Sequence, residues 1–298
     1  MGIKNLNRFL HKHCTSNAIQ KTNISIYKNK TLVVDTSIFM YKFLAMEKTQ
    51  HGIIDLFGKM IEMFQKYNII PIFIFDGKPP EEKSKLLKER YWKKVMASRK
   101  VEELKQLLLQ STISITDTAA IDHLKREMEI AETNALRLRK ADIFAIKAFI
   151  RSLNLDIIEA EEEADELCVK QVKIQNAYAV ISDDMDMLVH GCPATIRNFD
   201  INTGNCTIYF IHDILYDLRM NIRQFREIMV LSGTDYSTNM GGCDLYKTLK
   251  LYTNYKMFLR INKWRDITFL DYIIQYTDYI SNVDEIRNAY MKFTCTDI

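Results

Sequence analysis

Paired cysteines are missing from this sequence. The six present, at positions 14, 168, 192, 206, 243 and 295, show no CxxC spacing, which excludes the usual zinc signatures and fits free thiols in a reducing compartment. Also missing are an apolar run as long as a membrane span and an N-terminal signal-peptide core, so the expectation is an intracellular chain with no membrane partner. Glycine and proline are scarce, 9 and 4 in 298 residues; with the many Ile, Lys, Asn and Tyr this points to AT-rich coding DNA, and neither a repeat nor a low-complexity tail is evident. Charge of one sign is not in excess either. Lys and Arg number 41 against 38 Asp and Glu, a net charge of +3, so bulk charge selects no partner and only its distribution can. What is present is ordinary globular composition. With 47% hydrophobic residues the chain can build one large α/β domain, with or without a small helical appendage.

Three short apolar runs end in acids. TLVVD, residues 31–35, reads as a buried strand closing on Asp35 and followed by the helical run TSIFMYKFLAM. IIPIFIF, residues 69–75, closes on Asp76 and the turn Gly77-Lys78-Pro79-Pro80. NAYAVIS, residues 176–182, reads as a core strand of a parallel sheet. Beyond it stand Asp184 and Asp186, which extended backbone would point to the same side. Just upstream, EAEEEADEL places Glu163 and Asp165 at a helix start, and SGTDY adds Asp235 after a helix over residues 221–231. Each acid alone also fits a helix N-cap. Together they fall at strand ends and helix starts, where open α/β sheets bind ligands.

Between the second and third strands lies a long, basic helical stretch, EEKSKLLKERYWKKVMASRKVEELKQ. Lys83 and Arg90 are seven apart in it, about two turns, and so share a face. Residues 111–118, STISITDT, read as a loop tip before a second helical stretch over residues 119–153, giving a helical hairpin inserted between strands. Residues 194–200 and 206–211 flank Asn202-Thr203-Gly204 as a β-hairpin. From residue 245 onward the chain reads as helices rich in aromatics.

Seven carboxylates cannot crowd one small volume unpaired, and bound divalent cations are the simplest remedy. Oxygen ligands without His or Cys select a hard ion, Mg2+ or Mn2+, rather than zinc. Two such ions held by carboxylates suit phosphodiester hydrolysis, with Lys83 and Arg90 facing the charge that develops on the phosphate.

These residues resemble the flap endonuclease and XPG family of structure-specific 5′ nucleases. MGIKNLNRFL is similar to the family's opening, where Gly2 approaches the DNA. VVDTSIFMYKFL would carry the first metal ligand, Asp35, and the base-stacking aromatic, Tyr41. IFIFDGKPPEEKSKLLKER would supply Asp76, the substrate contact Lys78, and the basic pair Lys83 and Arg90. EADELC, SDDMDML and SGTDY would supply Glu163 and Asp165, Asp184 and Asp186, and Asp235. The resemblance implies a PIN-like α/β fold of the 5′–3′ exonuclease type: a mostly parallel sheet flanked by helices, a nuclease domain over residues 1–235, a helical arch over about residues 81–150, and a C-terminal helical region over residues 236–298. It implies two Mg2+ ions, with Mn2+ able to substitute, and branched, flap or nicked duplex DNA with a 5′ single strand as partner.

The chain departs from the family pattern after Asp235. The family's glycine hairpin, which grips duplex phosphates and a potassium ion, reads here NMGGCDLYKTLK. Gly241 and Gly242 remain, Asp244 and Leu245 replace the expected Gly and Pro, and Lys247 and Lys250 are available to compensate. No basic tail or recognisable sliding-clamp peptide precedes Ile298. A short, AT-biased member of this kind suits a large DNA virus, acting in the nucleus or at a cytoplasmic replication site. The residues leave open a DNA-junction binding protein of weak catalysis and a PIN-like nuclease acting on RNA.

Overall fold

The computed structural model describes residues 3–80, 83–114, 118–236, 242–262 and 267–294. After α1 (Leu6–His13) and β1 (Ile19–Asn23), the chain enters β2 (Thr31–Asp35), α2 (Thr36–Glu47), α3 (Gln50–Lys66) and β3 (Ile70–Phe75). Helices α4 (Ser84–Ser114), α5 (Thr118–Ala135) and α6 (Lys140–Ser152) precede β4 (Asp156–Glu159). Then come α7 (Ala164–Lys173), β5 (Ala179–Ile181), the one-turn α8 (Asp186–Val189), β6 (Ala194–Arg197) and β7 (Asn205–Phe210). Helices α9 (Ile211–Leu218), α10 (Ile222–Leu231), α11 (Leu245–Asn262), α12 (Phe269–Tyr276) and α13 (Val283–Thr294) complete the described chain.

Among the described residues seven strands form one sheet in the order β1-β7-β6-β5-β2-β3-β4. Strands β2 to β6 run parallel, while β7 is antiparallel to both β6 and β1. Side-chain alternation explains why the central runs are apolar throughout. Leu32, Val34, Phe73, Phe75 and Ile181 pack toward α2, α3 and α6, whereas Val33, Ile72, Ile74 and Val180 pack toward α7. Both faces are covered, so neither position of the alternation can be polar. The first face is filled by aromatic rings, with Phe57 edge-on to Phe43 at 5.0 Å and Phe64 stacked on Phe199 at 5.7 Å.

From β2 the chain builds outward to β3 and β4, then returns to the other side of β2 for β5 and β6. The carboxyl ends of β2 and β5 therefore flank the point where strand order reverses, which is where a ligand crevice forms in such sheets. Helices α4 and α5 pack against each other as a hairpin above that edge. The C-terminal helices share a core with α1, α9 and α10, through Leu6, Phe225, Tyr252, Phe269 and Phe293.

Three sequence expectations are corrected. Residues 111–114, read as a loop tip, continue α4, and residues 115–117 lie outside the described residues. The single helical stretch expected over residues 119–153 is two helices, because α5 packs on α4 through Ala131 while Ile146 and Ile150 of α6 seat that helix on α3 beneath the sheet. Asp184 and Asp186 do not extend β5. The chain turns after Ser182, and the Asp186 amide donates to the Asp184 carboxylate at 3.0 Å, opening α8.

Arg226 of α10 is buried, and its Nε donates to the Val189 carbonyl at 2.9 Å while a terminal nitrogen donates to that of His190 at 3.3 Å. It thus anchors the C-terminal end of α8, whose first residue is Asp186. Arg226→Met should leave buried carbonyls without these donors and destabilise the fold by about 2–4 kcal/mol, read as a lowered midpoint in chemical denaturation.

Candidate active site

The β2 and β5 ends are tied directly. Asp35, buried as the last residue of β2, accepts from Ser182 Oγ at 2.8 Å, and the same oxygen accepts from the Asp184 amide at 3.1 Å. Asp76, the residue after β3, accepts from the Ala164 amide at 2.8 Å and so caps α7 from another strand. Close backbone approach fixes this junction. The Gly77 and Lys78 amides donate to the Glu162 and Glu161 carbonyls at 2.6 and 3.0 Å. A Cβ on Gly77 would meet the Ala160 carbonyl at 2.0 Å, so only glycine fits.

Two acids are matched by cations from the base of the arch. Lys83 Nζ lies 2.6 Å from Glu163 Oε1 and 4.3 Å from the centre of the Tyr236 ring, and the Tyr236 hydroxyl donates to the other Glu163 oxygen. Arg90 donates to Asp235 at 2.8 Å. Tyr236 and Ser182 escaped the sequence reading. Tyr236 adjoins Asp235 in the chain and nothing in its spacing marks it; Ser182 was read only as the last residue of a strand.

A cleft of about 290 Å3 is lined by Asp35, Asp76, Glu163, Asp165, Asp184 and Asp235 together with Tyr41, Lys83 and Arg90. Asp186 is buried beside it, and among the described residues its Oδ1 has no hydrogen-bond partner. Burial, then the carboxylates of Asp76 and Asp184, push Asp35 up to about 7 from an ordinary 3.8. Asp165 is raised well above that value by burial and by Asp35 and Asp184, and Asp186 by burial and by Asp184 and Asp235. For Lys83 burial works against the charge, but Glu163 outweighs it and the ammonium is held.

Among the described residues no three of these side chains form a ready-made metal cage. Glu163 and Asp235 turn to cations and Asp76 to a helix end. The donors nevertheless fit a hard divalent ion: they are all oxygen, they repel one another in one cleft, and the Asp186 Oδ1 is orphaned among the described residues. The fit is one of donor chemistry and charge rather than preformed coordination.

The structure brings all seven acids, Lys83, Arg90 and Tyr41 to this one place. It does not bring Lys78 there, whose side chain is exposed on the turn after β3. Lys247 sits in the first turn of α11 with its ammonium 5.1 Å from the Tyr279 ring centre. Gly242 is exposed with a φ of 74°, the left-handed conformation glycine favours. Asp244 accepts from the Lys247 amide at 2.9 Å and caps α11, which explains an acid where glycine was expected. Gly2 and Gly241 lie outside the described residues.

A doubly wound sheet with acids at its switch point beneath a helical hairpin is a PIN-like nuclease fold. Two family models match the chain, the XPG N-terminal domain over residues 1–97 and the XPG I-region over residues 154–235. The flap endonuclease 1 of Enterocytozoon bieneusi is 27% identical over 270 residues, covering 86% of this chain and 71% of its own length. The catalytic core of Rad2 in complex with DNA substrate has the same fold, with a TM-score of 0.65 at 17% identity over 98% of this chain and 86% of that one. So does the Holliday junction-resolving enzyme GEN1 in complex with product DNA and a Mg2+ ion, at 0.54 and 14% over 98% and 68%. The chain belongs to the XPG/flap endonuclease family of nucleases.

A carboxyl whose pKa is higher in the folded than in the unfolded state binds its proton more tightly when native. Without divalent ions, stability should therefore fall as pH rises from about 4 through about 7. Asp35→Asn should flatten that slope and stabilise the chelator-treated protein near pH 7.5 by on the order of a few kcal/mol, measured by denaturation at both ends of the window.

Proposed function

We propose that this nuclease is a structure-specific 5′ nuclease that hydrolyses phosphodiester bonds in branched, flap or nicked DNA with Mg2+. The observation that carries the proposal is the single cleft, roofed by α4, into which six of the seven acids project with Lys83, Arg90 and Tyr41. Asp35, Asp76, Glu163, Asp165, Asp184, Asp186 and Asp235 would hold two ions, with Mn2+ able to substitute. Bound there, the ions would supply a water of lowered pKa and neutralise the leaving oxygen.

The chain's own residues do the rest. Lys83 and Arg90 stand at the base of α4, where their charges meet the scissile phosphate and stabilise the charge that grows on it. Tyr236 orients Lys83 by its ring and Glu163 by its hydroxyl, so that cation and acid keep a fixed separation. Tyr41, half exposed at the mouth of the cleft, offers its ring to the base beside the scissile phosphate. Phosphate contacts and the arch, rather than reading of base edges, select the substrate. Such an enzyme would serve DNA replication, repair or recombination, in a nucleus or at a cytoplasmic site of viral replication. In this reading residues 1–235 form the nuclease domain and residues 236–298 a C-terminal helical region, whose α11 would carry the duplex.

Cleavage of flap, nicked, gapped and four-way substrates with Mg2+, resolved on one gel, tests the proposal. Lys83→Ala and Arg90→Ala should each slow single-turnover cleavage by about 10²–10³, and Asp184→Asn should abolish it. An Asp184→Asn protein that cuts a 5′ flap at the wild-type rate sinks the reading.

A further inference from the structure

A second, larger cleft of about 850 Å3 opens beside the acidic one and shares Tyr41, Leu87 and Arg90 with it. Its charged and aromatic walls are Tyr41 on α2, Arg90, Tyr91, Lys93 and Lys94 on α4, and Arg137 just past α5. Among the described residues no carboxylate lines it. Elsewhere on the arch cations are matched, Lys100 with Glu127 and Glu132 with Lys48. Among the described residues Lys93, Lys94 and Arg137 have no acidic partner; Lys94 is pulled below the ordinary lysine range by burial, then by Arg137 and Arg90. Three cations held against their own repulsion are relieved by an anion.

The aromatic groups narrow the choice of anion. Lys94 Nζ lies 4.8 Å from the centre of the Tyr41 ring, and the Arg137 guanidinium lies 4.9 Å from that of Tyr91. Both rings remain about half exposed, 45% and 53%, and Trp92 meets Tyr91 edge-on at 5.7 Å. A ring and a cation, twice over in one cleft, match the base and phosphate of successive nucleotides. A duplex offers phosphates but hides its base faces in the stack. A single strand offers both.

We infer that Tyr91, backed by Arg137, is a base-stacking station for the 5′ single strand of DNA, distinct from Tyr41, with Lys93 and Lys94 on the adjoining phosphates. The inference rests on the nuclease reading above, which supplies the strand. It makes a statement that a purely phosphate-gripping arch would not: the enzyme senses whether a base is present at one position of that strand.

The test is equilibrium binding to a 5′-flap DNA in chelator, by fluorescence anisotropy, with one abasic site stepped along the 5′ strand. For the full chain, one position should exist at which losing the base weakens binding about tenfold, the scale of one aromatic–base stack. Tyr91→Ala should weaken binding to the intact flap by a similar factor and be indifferent to the abasic site at that position, while Tyr91→Trp restores both affinity and sensitivity. Lys93→Gln should lower the slope of log affinity against log salt by about 0.7, the share of one single-strand phosphate contact. Tyr91→Ala binding as tightly as wild type, or losing affinity by one constant factor at every abasic position, overturns the station. If Tyr91→Ala and every abasic flap are cut as well as the intact pair, only the station falls. If the stacking pattern appears and no branched DNA is cut with Mg2+, only the nuclease reading falls.

Discussion

Mutual repulsion among carboxylates gathered in one cleft is the constraint on which the rest of the molecule depends. The sheet brings the ends of β2, β3 and β5 to one edge, so the acids that terminate those strands cannot avoid one another. Four of the seven are met by a cation or a backbone amide. Glu163 and Asp235 take the cations Lys83 and Arg90. Asp76 takes the amino end of α7, and Asp184 takes the Asp186 amide. Asp35, Asp165 and Asp186 are left with their pKa values raised. A fold without use for concentrated negative charge would gain by replacing such acids with amides or apolar groups, because each raised pKa is stability forgone near neutral pH.

Electrostatics also explains why the arch stands where it does. At its base Lys83 and Arg90 are directed at the acidic floor, and beside them stand Lys93 and Lys94, which meet no carboxylate among the described residues. The floor and the roof thus carry opposite surpluses. Divalent cations on the floor and a polyanion under the roof would satisfy both at once. Neither surplus appears in the net charge of +3, which averages them away.

Much of this arrangement was legible in the sequence, for identifiable reasons. TLVVD is a strand from Thr31 to Asp35, as read, because a central strand covered on both faces has to be apolar throughout. The acids were legible as a set because doubly wound topology sends strand ends to one edge. Strands β1 and β4 went unread. β1, IQKTN, is an edge strand with exposed positions, and β4 has only four residues, DIIE; neither needs the apolar pattern that marks an interior strand. Ser182 and Tyr236, which meet Asp35 and Glu163, and Arg137, which backs Tyr91, were illegible for another reason. They act through distance in space, and single-sequence spacing carries no such information.

The basic run of α4 shows how a functional stripe can hide from periodicity. Leu87, Arg90, Tyr91, Lys94 and Ala97 follow the spacing of one helix face, three or four residues apart, and all five line the basic cleft. A reading tuned to hydrophobic periodicity looks for an apolar stripe at that spacing and finds instead the pattern of a charged helix solvated all round. Yet α4 needs no apolar face toward the sheet, since its packing is against α5 through Val101, Leu104 and Ala131, further along the hairpin. Near its base the helix is free to present cations and tyrosine inward. The same 3.6-residue repeat that elsewhere buries leucine here lines a cleft for a charged, aromatic polymer, and the residues filling the stripe decide which of the two it does.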